Sequence, residues 1–129
     1  VSLVSFVVGL GVDLVETARV DRLLERYGDR FLRRLMDPEE AGGLPPPGPS
    51  RVRAVALAVA GKEAASKALG TGWSQGVRWR DVVVIREPPD VRLRGRAAEV
   101  ARAKGSRGAS RTRLSVAGPL AIGEVWLLR

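Results

Sequence analysis

The chain of 129 residues contains no cysteine and no histidine. Without cysteine there are no disulfides and no thiolate metal sites, a composition that suits a cytoplasmic protein. Without histidine the commonest general base and the usual transition-metal ligand are both gone, which argues against zinc and against a Ser-His-Asp triad. Any metal must then be held by carboxylates, and carboxylates favour a hard ion such as magnesium. Aromatic residues make up only 5% of the chain. No RNP, KH or helix-turn-helix signature accompanies them, which argues against a base-stacking nucleic-acid module. Long apolar runs are missing too. The apolar start, VSLVSFVVGLGV, is far shorter than a membrane span and lacks the basic n-region of a signal peptide.

What is present reads as one soluble domain over residues 1–129, with 45% hydrophobic and 28% charged residues. Positive charge dominates. Twenty-two Lys and Arg face 14 Asp and Glu, giving a net charge of +8. Such a balance points to an acidic protein, a phosphorylated ligand or nucleic acid as partner, the competing reading being an arginine-rich solvated surface.

Hydrophobic patterning predicts a mostly buried strand over residues 6–15, with Asp13 near its end. Thr17 is the expected cap of a helix running to about Leu35, with Val20, Leu23, Leu24, Tyr27, Phe31 and Leu35 on one face. Arg19, Arg22, Arg26, Arg30 and Arg33 form a stripe on another, unless Gly28 breaks the phase. Asp37-Pro38-Glu39-Glu40 has the form of a helix start, and Ser50 is the expected cap of a long helix that Gly70 ends. Strands are expected over 77–86, 91–94, 112–117 and 120–128, with a short helix over 96–104. The order specifies an α+β fold with an antiparallel sheet around a long central helix.

That central helix poses a problem. AVALAVAGKEAASKALGTG, residues 54–72, is apolar for two turns and then carries Lys62, Glu63 and Lys67. A charge taken out of water is costly unless it is paired. Glu63 and Lys67 could form an i,i+4 pair on a solvated last turn. Alternatively, Glu63 meets a second acid, for which Asp13 is the candidate, and the two hold a magnesium ion that handles phosphates. Lys67, one turn on, could then take or steer a proton.

GVDLVE (11–16) with Arg19, RFLRRLMDPEE (30–40), GKEAASKALGTG (61–72), Trp79-Arg80-Asp81-Val82-Val83-Val84 and the closing strands together resemble a known family. It is that of the holo-acyl-carrier-protein synthases, the small bacterial 4′-phosphopantetheinyl transferases. The resemblance implies an α+β fold assembled as a homotrimer with active sites between subunits. It implies transfer of phosphopantetheine from coenzyme A to a serine of an acyl carrier protein, releasing adenosine 3′,5′-bisphosphate. By it Asp13 and Glu63 are the Mg2+ ligands, Lys67 and Glu63 are catalytic, and Lys62, Lys67, Gly70, Thr71 and Ser115 bind the coenzyme. Arg19, Arg30 and Arg34 are the expected contacts to the acidic carrier protein, and the wheel adds Arg22 and Arg26.

Three positions depart from the family pattern. Ser115-Val116 stands where relatives carry Ser-His or Thr-His, Ala58 replaces an arginine, and Glu87-Pro88-Pro89 replaces a Gly-Lys-Pro turn. The alternative reading is therefore a member that binds coenzyme A or carrier protein without efficient transfer. Arg51, Arg53 and Arg113 are candidate replacement charges.

Overall fold

The organising contact lies between a strand with two glycines on its inner face and a helix with small side chains. In the computed structural model, which describes residues 6–129, strand β1 (Val7–Glu16) lies directly on helix α4 (Pro49–Leu69). The first five residues of the apolar start lie outside the described ones. A Cβ added at Gly9 would overlap the Ala68 carbonyl oxygen, and one at Gly11 would come 2.9 Å from both the Ala64 carbonyl carbon and the Ala68 nitrogen. Backbone cannot yield at such distances, so glycine is required on steric grounds. Gly123 makes the same approach to Ala60 from the neighbouring strand.

That neighbour is β5 (Leu120–Leu128), which pairs antiparallel with β1 on one side and with β4 (Ser110–Ala117) on the other. On β5 the alternation is regular: Ala121, Gly123, Val125 and Leu127 face α4 and are buried, while Ile122, Glu124, Trp126 and Leu128 face outward. On β1, Gly9, Gly11, Asp13 and Val15 share the helix-facing side. Leu10, Val12 and Leu14 project from the other face, 51%, 50% and 58% exposed. Helix α4 is buried almost all round, with Val55, Ala56, Ala60, Ala64 and Ala65 at 0% exposure. Its far side is closed by α1 (Thr17–Tyr27), α2 (Asp29–Leu35) and a separate ribbon of β2 (Val82–Arg86) and β3 (Pro89–Leu93). The α+β expectation holds, with two antiparallel sheets in place of one.

Local punctuation differs from the sequence expectation in four places. Gly28, at φ 52, ends α1, so the helix expected to reach Leu35 is two helices. Thr17 is the first helical residue instead of the cap, and its hydroxyl donates to the Pro119 carbonyl at 3.2 Å. The long helix starts at Pro49 after Gly48, with Ser50 already inside it, as proline at the first helical position favours. Gly70 does end it in the left-handed conformation (φ 79), and Asp37 caps the short α3 (Pro38–Gly42), its carboxylate accepting from the Glu40 N–H at 2.8 Å. A 3-10 turn (Trp79–Asp81) replaces the start of the strand expected from residue 77, and α5 (Gly95–Ala103) precedes β4.

Candidate active site

Alternation along β1 puts Asp13 on the same face as the two glycines that seat the strand on α4. The first side chain able to use that closeness is therefore a carboxylate, set against the last turns of the helix. Lys67 Nζ donates to Asp13 Oδ1 at 2.7 Å and to the Val12 carbonyl at 3.2 Å. Glu63 lies one turn back on α4. Its carboxyl is pushed above the ordinary value, first by burial and then by the Asp13 charge. The Trp73 indole, Lys67 and Arg19 act in the opposite direction. Lysine thus pairs with the strand aspartate and not with its own i+4 glutamate, leaving two neighbouring carboxylates and one nearby ammonium.

These three groups open onto a cavity of about 480 Å3 walled by Arg19 of α1, Arg34 of α2, Phe31 and Trp79. Lys67 is half exposed at its edge, whereas Asp13 is mostly covered. A half-buried carboxyl raised by desolvation and by a second carboxylate can be relieved by a proton or by an added cation. Among the described residues no group of three or more metal-ligating side chains occurs. Two protein carboxylates suit an ion such as Mg2+, which keeps its remaining positions for water and phosphate oxygens. The donor set fits.

The sequence matches the model of the 4′-phosphopantetheinyl transferase superfamily over residues 9–114. The chain belongs to that superfamily. It is 45% identical over 105 residues to the holo-[acyl-carrier-protein] synthase of Alkalilimnicola ehrlichii, a match spanning 79% of this chain and 82% of that relative. In fold it is similar to the holo-[acyl-carrier-protein] synthase from Neisseria meningitidis, with a TM-score of 0.80, 25% identity, and coverage of 95% of this chain and 99% of that one. The Bacillus anthracis synthase, solved in complex with CoA (3′,5′-ADP), matches with a TM-score of 0.74, 28% identity, and coverage of 95% and 97%.

Within this transferase the sequence-expected site residues do not all converge. Lys62 is the clear correction. It is fully buried on the other side of α4, where Nζ donates to Glu40 Oε1 at 3.0 Å, to the Trp79 carbonyl at 3.1 Å and to the Val82 carbonyl. All three of its protons are committed, so none is free for a coenzyme. Burial lowers the Lys62 pKa and raises that of Glu40, and each tendency is opposed by the partner's charge. Thr71 is buried with its hydroxyl donating to the Gly72 carbonyl at 2.8 Å, and Gly70 lies beside the Lys104 ammonium. Neither lines the cavity. Ser115 is exposed on β4 in register with Ile122, itself opposite Leu14, and so occupies the face of the sheet turned away from Asp13.

The arginines divide as well. Arg19 and Arg34 line the cavity, whereas Arg30 and Arg26 flank the Tyr27 ring, 5.9 and 5.4 Å from its centre. Because Gly28 breaks the helix, one continuous wheel does not describe them, and Arg34, which the wheel left off the stripe, lines the cavity while Arg33 does not. Of the replacement charges, Arg51 donates to the Pro45 carbonyl at 2.6 Å and lies with Arg53 along a different groove. Arg113 points to the outer face of the sheet. Ala58 is buried. None of the three arginines restores charge to the cavity.

Sequence reasoning missed the Lys62–Glu40 pair and the two tryptophans behind Glu63. The rings of Trp73 and Trp79 stack 3.9 Å apart at 20°. Two of only three tryptophans falling within seven residues, directly after GKEAASKALGTG, was the available hint.

Proposed function

We propose that this chain transfers the 4′-phosphopantetheine group of coenzyme A to a serine of an apo acyl carrier protein, releasing adenosine 3′,5′-bisphosphate. The observation that carries this is the meeting of Asp13, Glu63 and Lys67 at one arginine-walled cavity in a chain of this superfamily. Asp13 and Glu63 would hold Mg2+, which would supply positive charge to the pyrophosphate of coenzyme A while the bridging P–O bond breaks. Lys67 Nζ, anchored on Asp13 and the Val12 carbonyl, is placed to steer the serine proton away as the new O–P bond forms. Gly70 and Thr71 shape the loop beyond that lysine instead of offering side-chain contacts.

Arg19, Arg30 and Arg34 are the proposed docking contacts for the acidic carrier protein, each contributing little alone and together orienting the encounter. Assembly as a homotrimer completes the site in this reading. Leu10, Val12 and Leu14 stand half exposed on one sheet face, and covering each by a neighbouring copy would contribute on the order of 1 kcal/mol. Ser115 shares that outer face, so it serves coenzyme A only in a site shared between copies. Among the described residues no helix is long and apolar enough to cross a membrane, and we place the reaction in the cytoplasm. Asp13→Ala or Glu63→Gln should abolish metal-dependent transfer while leaving circular dichroism and thermal midpoint near wild type. Full transfer by either variant at ordinary magnesium would sink the assignment.

A further inference from the structure

Among the described residues, Trp73 Nε1 is the buried side-chain polar atom that lacks a hydrogen-bond partner. Its setting is otherwise tightly specified. The ring is stacked on Trp79, whose carbonyl takes Lys62 Nζ at 3.1 Å. The loop carrying Trp73 is tied to the end of α4 by Gly72 N–H to the Ser66 carbonyl at 3.2 Å, and closed by Ser74 Oγ to the Thr71 carbonyl at 2.6 Å. Ser66 is in turn fastened to the Glu63 carbonyl at 2.8 Å. The indole eases the charge on the Glu63 carboxyl but completes no hydrogen bond to it.

A buried donor held in place by this much structure and left unpaired is uncommon. A carboxylate that holds a metal through one oxygen needs a donor on the other to fix its orientation. We propose that Trp73 is a positioning residue for the metal site, its indole N–H taking one Glu63 oxygen when the other holds the cation. The inference rests on the assignment of Mg2+ to Asp13 and Glu63. Trp73 does not line the cavity and touches no substrate, so its effect passes entirely through Glu63.

The test is Trp73→Phe, which keeps an aromatic ring on Trp79 and removes only the N–H side of the indole. Mn2+ binding is titrated by electron paramagnetic resonance with coenzyme A present, alongside thermal midpoint and steady-state kinetics in Mg2+. Loss of a partner that orients a metal ligand typically weakens affinity about 10–100-fold. We expect Mn2+ affinity to fall about tenfold or more, with the thermal midpoint held. The apparent KM for Mg2+ should rise by a similar factor, with kcat at saturating Mg2+ within about twofold. Asp13→Asn, run in parallel, separates the two claims. If it weakens Mn2+ binding and Trp73→Phe does not, the site stands and the role of Trp73 is overturned. If Asp13→Asn binds Mn2+ like wild type, the metal assignment falls and the inference with it. A second measurement needs no substitution at Trp73: in 15N-labelled wild type its indole N–H resonance should shift on saturation with Mg2+, and an unmoved resonance overturns the proposal even if the phenylalanine variant unfolds.

Discussion

Lys62→Met should be among the most destabilising single changes in this chain while leaving coenzyme A recognition intact. Lys62 Nζ is fully buried and gives its three protons to Glu40 Oε1, the Trp79 carbonyl and the Val82 carbonyl. Methionine fills much of the same volume but strands the Glu40 carboxylate, whose other oxygen holds the Val84 N–H at 3.2 Å. Breaking a buried pair from one side costs about 3–5 kcal/mol, because the remaining charge is left uncompensated. For a domain of this size that is a drop of roughly 10–20 °C in thermal midpoint. Lys62→Met/Glu40→Gln should recover most of the loss, since no charge is then buried. The deficit should also shrink in acid. Burial holds the Glu40 pKa above 4.5, and loss of Lys62 removes the charge that opposes this. The raised group favours the folded state fully below its unfolded value and less as pH rises through its folded one. Urea titrations from pH 4 to 8, with the KM for coenzyme A measured at low temperature, check both halves. A loss under about 1 kcal/mol, well short of a broken buried pair, would refute the reasoning. So would a tenfold rise in the KM for coenzyme A at unchanged stability.

Gly11→Ala should lower stability by about 1–3 kcal/mol through overpacking. It should also cost on the order of 100-fold in turnover, because pushing β1 off α4 displaces Asp13 by about 1 Å; turnover within twofold of wild type would contradict this. Reversing the charge at Arg19 or Arg30 should raise the KM for carrier protein far more than that for coenzyme A. Wild-type docking should weaken with salt, since exposed charges are screened beyond about 8 Å at physiological ionic strength; equal effects on both substrates would count against docking there. Val116→His should change turnover by well under tenfold if Lys67 and the metal carry the reaction, against the ~10²–10⁴-fold expected of a missing proton-transfer group.

Much of this architecture was legible because it is written in local pattern. Apolar runs announce the first strand and the long helix, and Asp37-Pro38 or Gly70 mark ends by their own backbone chemistry, whereas the seating of Gly9 and Gly11 on the helix alanines appears only in the fold. Asp13, Glu63 and Lys67 were picked out through the resemblance, while periodicity alone left the partner of Glu63 open between Lys67 and Asp13 and did not offer the Lys67–Asp13 pair that forms. The partner of Lys62 was not legible, since Glu40 lies 22 residues away on a five-residue helix and no spacing rule joins them. Gly28 explains the failure of the arginine wheel, because one left-handed residue resets the phase of everything after it. Ser115 entered the expected site through the resemblance alone, and strand parity puts it on the sheet face turned away from Asp13, which no reading along one chain shows.

The central claim is the transfer itself, and intact-mass spectrometry of an apo acyl carrier protein after incubation with coenzyme A, Mg2+ and this protein tests it most directly. The expected result is a single phosphopantetheine addition on one serine, absent when Mg2+ is chelated or when Asp13→Ala replaces wild type. A carrier protein left at its apo mass by the wild-type enzyme across the carrier proteins of the source organism would contradict it, as would a full addition by Asp13→Ala.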